Sequence, residues 1–344
     1  MKSKKTKLAA LRSWLVESIS DQFAFFAWAA AVLLVAAAYL TYNALYTHYK
    51  GLGFGVPAMA SYLPWGVGLI AITAYLKKIS ERYSLVMEVI TKLYWVYFIS
   101  ALGCMAIQFS PFPLIDSHLL AADNALGFSS TGFFEFVRHH HWLHQLFTTA
   151  YHSLDYLLIL MPFVFAFFIE KRSVRIFYLA NIIATFFTYN IYYYFPTTEP
   201  AHVAMGSNFL QAQYDIIAQW YQIHGHLKNT IHIGDLIAFP SFHVIWSCLL
   251  IYLTKNRKWI FYPMLVWGAV IMTSTVALGW HFLTDVMGGL AIAGIAIYLA
   301  ELGEKTGKSL KGRLPSIATS KFGQRFNRQA LNDDREYDNA VGHR

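Results

Sequence analysis

Long apolar runs separated by short polar stretches make up most of the chain. Eight runs approach the roughly 20 residues that a helix needs to cross a bilayer: 23–46, 54–76, 90–109, 145–169, 176–195, 240–253, 259–279 and 282–302. The sixth is short and is expected to draw on its flanks. The predicted fold is therefore all-α, a polytopic membrane protein of about eight transmembrane helices. The first run follows Lys2, Lys4, Lys5, Lys7 and Arg12, as a signal peptide would. It is longer than a signal core and lacks a small-x-small cleavage site, so it is read as a retained span. No internal repeat or low-complexity segment interrupts the pattern.

Composition agrees with this picture. Of 344 residues, 56% are hydrophobic and 13% charged, against roughly 25% charged in soluble domains. Tyr and Trp gather near the ends of the runs, where amphipathic rings favour the headgroup layer. The formal charge of +8 would suggest nucleic acid in a soluble protein. Here the basic residues sit in loops and tails, so the expected partner is the lipid bilayer and not nucleic acid. With the N-terminus inside, 23 of the 27 lysines and arginines fall on the inner side, and only Lys50, Arg138 and Lys228 lie outside. That bias predicts cytoplasmic termini in a plasma (cell inner) membrane. Cys104 and Cys248 both lie within apolar segments, so neither a disulfide framework nor a thiolate metal site is expected. Two outer segments, 110–144 and 197–239, are long enough to carry function.

Candidate chemistry gathers in two short segments that this topology puts on one outer, extracytoplasmic face. The first is Phe239-Pro240-Ser241-Phe242-His243, opening the sixth span. The second covers 274–285 and includes His281 and Asp285. Four residues apart on a helix, these two share a face. A carboxylate on one imidazole nitrogen fixes the tautomer and leaves the other free to attack phosphorus. Pro240 suits the first turn of a helix, and the amides of Ser241, Phe242 and His243 would form an anion site at its start. Ser241 adds a hydroxyl, and His243 is placed to protonate a leaving oxygen.

These segments resemble the type 2 phosphatidic acid phosphatase superfamily, whose motifs read K-x6-R-P, P-S-G-H and S-R-x5-H-x3-D. Here P-S-F-H stands at 240–243 and S-T-x5-H-x3-D at 274–285. The resemblance covers roughly the last six spans. It implies a six-helix catalytic core with no cofactor or metal, and a membrane lipid phosphate as substrate. It also implies His281 as nucleophile, Asp285 as its orienter and His243 as general acid. Three departures stand out: Phe242 for the glycine, Thr275 for the motif arginine, and Tyr192 and Glu199-Pro200 where K-x6-R-P belongs. All three phosphate-clamping cations are thus absent from their expected places. The pattern is nearer the inositol phosphorylceramide synthase-like branch, which the stretch 121–128 also resembles. The activity implied is that of a lipid phosphatase working through phosphohistidine. A headgroup phosphotransferase is the alternative, and a non-enzymatic lipid-binding or transport protein on the same fold is the second.

Transferring phosphoryl groups carry spread negative charge that needs donors or cations. Arg138 or Lys228 is expected to supply part of the clamp, with Tyr192, Tyr194 or His202 assisting; the other reading makes Arg138 and Lys228 ordinary interfacial residues. Tyr151, His152 and Asp155 lie within the fourth span, where they either line a headgroup pocket or bond neighbouring helices. His139, His140, His141 and His144, and again His224, His226 and His232, cluster. No acidic or cysteine partner completes a site there, so no metal is expected. The expected organisation is 1–82, a basic tail and two leading helices; 83–302, the catalytic membrane domain; and 303–344, a cytoplasmic basic polar tail.

Overall fold

The computed structural model describes residues 23–49, 60–167, 170–204, 209–227 and 236–313. Among them the chain forms twelve helices and no strand. These are α1 (Phe23–Tyr46), α2 (Leu63–Leu76), α3 (Glu81–Ile107), α4 (Asp116–Ala125), α5 (Ser130–His139), α6 (His141–Phe167), α7 (Lys171–Tyr194), α8 (Pro200–Val203), α9 (Gln211–His224), α10 (Phe242–Thr254), α11 (Lys258–Ala277) and α12 (Leu283–Arg313). Each of the eight expected runs corresponds to one of them. Residues 54–59 of the second run and 168–169 of the fourth lie outside the described residues.

Six helices are long and apolar enough to cross a membrane: α1, α3, α6, α7, α11 and α12. The other two, α2 and α10, are apolar but only 14 and 13 residues long. Four further helices, α4, α5, α8 and α9, lie in the two long segments between spans. One compact unit covers 24–301. The described part of the second unit is Phe23 and residues 302–313, the last turns of α12.

Helix α7 is the centre of the compact unit. It buries 72% of its span, against 22–39% for the other five long spans. That position explains its low hydropathy: a helix screened from lipid can carry Asn181, Thr185, Thr188 and Tyr192, all buried, as long as neighbours take up their hydrogen bonds. The hydroxyl of Tyr189 donates to the Ser100 carbonyl of α3 at 2.8 Å. Gly103 allows that approach, since a Cβ there would lie 2.4 Å from the Tyr189 ring. Helix α1 joins through Asn43, whose side chain donates to the carbonyls of Ala106 and Phe109 and accepts from the Tyr193 hydroxyl at 2.9 Å. Between α6 and α11, Trp267 Nε1 donates to Ser153 Oγ at 2.9 Å.

Candidate active site

The end of α11 sets the position of His281. Gly279 takes φ +77° just past the helix. Its amide bonds the Val276 carbonyl and that of Trp280 bonds the Thr275 carbonyl, both at 3.0 Å. This is a Schellman closure, which a Cβ at the left-handed position penalises. The His281 amide also reaches the Thr275 carbonyl, at 3.1 Å. A Cβ on Gly279 would stand 2.9 Å from Phe209 and 3.1 Å from Phe134. We therefore expect Gly279→Ala to cost about 1–2 kcal/mol from the backbone alone, and more once the rings must move. Thermal unfolding in detergent reads this; an unchanged Tm would show that the turn has another conformation open to it.

His281 and Asp285 are both buried, at 5% and 0% exposure. His281 Nδ1 lies 3.2 Å from Asp285 Oδ2, which also accepts the Phe282 amide at 2.9 Å. The carboxylate thus holds the imidazole and the start of its own helix together. Burial pushes the His281 imidazole down to about 4, against the pull of a hydrogen bond to the Ala238 carbonyl. At neutral pH it is an unprotonated ring with a lone pair to offer.

A second carboxylate, Asp123 on α4, caps α12. Its oxygens accept the amides of Leu283 at 2.8 Å and Thr284 at 2.9 Å, together with the Ser130 hydroxyl. The anion site that the start of α12 would offer is therefore filled from within the chain. A glycine closure at Gly127, φ +74°, ends α4 and returns the Phe128 amide to the Asp123 carbonyl at 3.0 Å.

Across from His281 stands His243, in the first turn of α10. The ring centroids are 5.9 Å apart at 60°, so both imidazoles border one site. Tyr151 of α6 stacks on His243 at 4.3 Å, and the Trp280 ring lies 5.9 Å from that of Tyr151. Tyr151 therefore belongs to the site wall. Ser241 caps α10, but its amide donates to the Asp285 carbonyl at 3.2 Å and so is not a free donor. Its hydroxyl is fully buried with no partner among the described residues.

The other expected residues are distributed differently. The Phe242 ring packs against Tyr189 and Trp246, so its offering to the site is its backbone amide. Tyr192 is buried in a cluster with Leu236 and Ile237, against which Trp280 packs. The imidazole of His202 is spent on Asp116 Oδ2 at 2.9 Å and the Tyr221 hydroxyl at 3.1 Å. Arg138 is exposed at the end of α5. Asp155 is exposed one turn along α6 from Tyr151. Lys228 lies outside the described residues, as does His232. Thr275, at the motif-arginine position, is buried with its hydroxyl on the Met272 carbonyl at 2.7 Å. Of the other histidines, His139 and His140 bond carbonyls within α5, and His224 stacks between Trp220 and Phe109.

The segment 196–202 closes the site. Asp116 accepts from the Thr198 amide at 2.9 Å and its hydroxyl at 3.1 Å. Thr197 Oγ1 takes the Phe239 amide at 3.1 Å, tying this segment to the one that leads into Ser241. Glu199, 5% exposed, sits between these anchors. Burial raises its carboxyl well above the usual range, and Asp116 and Asp285 raise it further. Sequence reading marked Glu199 only as a departure and Asp116 not at all, because their roles depend on contacts far apart in the chain.

No curated protein and no solved structure matches the chain significantly. A family model described as the PAP2 superfamily matches residues 117–299, which run from α4 to α12 and hold every side chain of the His281–His243 site. The chain is a multi-pass membrane protein that belongs to the PAP2 superfamily.

Proposed function

We propose that the protein is a lipid phosphatase that takes a phosphoryl group from a lipid phosphate ester or pyrophosphate onto His281. The observation that carries this reading is a buried, unprotonated His281 held by Asp285 at 3.2 Å with a second imidazole 5.9 Å away. The free nitrogen of His281 attacks phosphorus, the bond from phosphorus to the leaving oxygen breaks, and His243 gives that oxygen its proton. Water then yields a proton to His243 and displaces the phosphoryl group from His281. The inner-side bias of basic residues supports a cytoplasmic-membrane location with this chemistry on the extracytoplasmic face.

One observation favours a second reading. The positions expected to hold cations carry a buried Thr275 and a buried Glu199, as in the inositol phosphorylceramide synthase-like branch. In that case the group moved is a substituted phosphoryl headgroup and the acceptor is a lipid alcohol.

The test uses detergent-purified protein with phosphatidic acid, a polyprenyl pyrophosphate, and a phosphodiester lipid offered with a free alcohol. Phosphate release with base-stable label on the protein supports the phosphatase; headgroup exchange without release supports the transferase. Silence in both, with no label, leaves a non-enzymatic lipid-binding protein. The pH profile is a further check. With its imidazole held near 4, His281 keeps its lone pair well below the ordinary histidine range, and the acid limb of kcat/KM should fall through about 4. An acid limb near the ordinary histidine value would mean the nucleophile is not the buried ring.

A further inference from the structure

The site holds a group of buried polar atoms that no described residue satisfies. Glu199 Oε2, Ser241 Oγ, Thr284 Oγ1 and Asp285 Oδ1 are all buried without a hydrogen-bond partner among the described residues. They lie together: the Ser241 amide is on the Asp285 carbonyl, and Thr284 precedes Asp285. Glu199 interacts electrostatically with Asp285 and with Tyr151, the ring stacked on His243. Buried polar groups in native proteins are satisfied by something. In a site built for phosphoryl transfer, that partner is the substrate.

We propose that Glu199 touches the transferring phosphoryl group and, as a carboxylic acid, donates a hydrogen bond from Oε2 to one of its oxygens. The inference rests on the phosphoryl-transfer reading above. Three features support it. The carboxyl is nearly sealed from solvent, at 5% exposure. The charged groups acting on it are both carboxyls, Asp116 at the start of α4 and Asp285 on α12; Tyr151 of α6 also interacts with it, and His202 of α8 is turned onto Asp116. A lone carboxylate in that company would be isolated in a low dielectric between like charges, and it takes up a proton instead. The proton converts an acceptor into a donor where, among the described residues, the motif positions offer no lysine or arginine to developing negative charge. The raised proton affinity also sets a limit: as pH rises through it the donor is lost, and turnover should decline on the alkaline side.

The experiment reads the proton directly. Infrared difference spectra of the full-length protein against Glu199→Gln should show, at neutral pH, the carbonyl stretch of a protonated carboxyl that the variant lacks. Orthovanadate, a phosphoryl mimic whose binding is followed by calorimetry, should move that band to lower frequency as Oε2–H gains an acceptor. In turnover, Glu199→Gln, which keeps a donor, should stay within about tenfold of wild type and lose the alkaline decline. Glu199→Ala should fall by about 10²–10³-fold, the usual loss for one such donor. No band at neutral pH, no vanadate binding, a band that vanadate leaves in place, or a fully active Glu199→Ala would each overturn the proposal. A His281→Ala protein that keeps its turnover would sink the phosphoryl-transfer reading instead, and leaves the infrared band to judge Glu199 alone.

Discussion

His281→Ala should lower lipid-phosphate turnover by about 10⁴-fold or more, to a floor that no further change at this centre deepens. Without the ring there is no acceptor for the phosphoryl group, and what remains is whatever water can do in the pocket. Asp285→Asn isolates a smaller part. Asp285 Oδ2 serves both His281 Nδ1 and the Phe282 amide, while Oδ1 has no partner among the described residues. An asparagine can therefore present its carbonyl to both donors and place its amide where Oδ1 was. Geometry survives and only the charge is lost, the charge that steadies the ring as it turns cationic on bonding phosphorus. The expected loss is about 10²–10³-fold. Because the two groups act as one unit, the double variant should be no worse than His281→Ala. Single-turnover kinetics with trapping of labelled protein measures all three. Additive losses would mean that Asp285 acts elsewhere, and unaltered turnover in His281→Ala would remove the covalent route.

The parts of the molecule legible in the sequence were those whose cause is local. A membrane span is set by the composition of some twenty neighbouring residues, so the apolar runs fell on helices, six of them among the described residues long and apolar enough to cross a membrane. The largest displacements of their ends have physical reasons. Helix α3 begins at Glu81 and α7 at Lys171, because charged first turns extend beyond the apolar stretch. The short run at 240–253 stayed short, at 13 residues, because Ser241 is held by the Asp285 carbonyl and the helix starts only after it. His281 and Asp285 were readable because four-residue spacing is itself a contact on a helix. Helices α4, α5, α8 and α9 were not read from the long outer segments: at 4–14 residues they are too short to span a bilayer, and the span pattern passes over them. Nothing near Asp116 in sequence announces Thr198 or His202, more than 80 residues away. The spacing of a motif likewise cannot show that His202 is already engaged or that Glu199 is left over.

Asp123 shows how far a distant contact can matter. Asp123→Ala should destabilise the protein by about 3–5 kcal/mol. The carboxylate is fully buried and accepts from Leu283, Thr284 and Ser130. Removing it leaves three donors without an acceptor, each worth about 1–3 kcal/mol when buried, and takes a negative charge from the positive end of α12. Relaxation recovers some of the sum, which is why the expected total is below three full penalties. The loss would fall on the two residues that precede Asp285, so activity should suffer beyond what partial unfolding explains. At a temperature where Asp123→Ala is still folded, kcat should drop while the global signal is unchanged. Asp123→Asn keeps one acceptor and much of the shape and should lie between. Unfolding in detergent, followed alongside turnover, separates the two effects. An Asp123→Ala protein with wild-type stability would mean that water or another side chain caps α12, and that the 160-residue link between α4 and the catalytic helix is not what holds His281 and Asp285 in place.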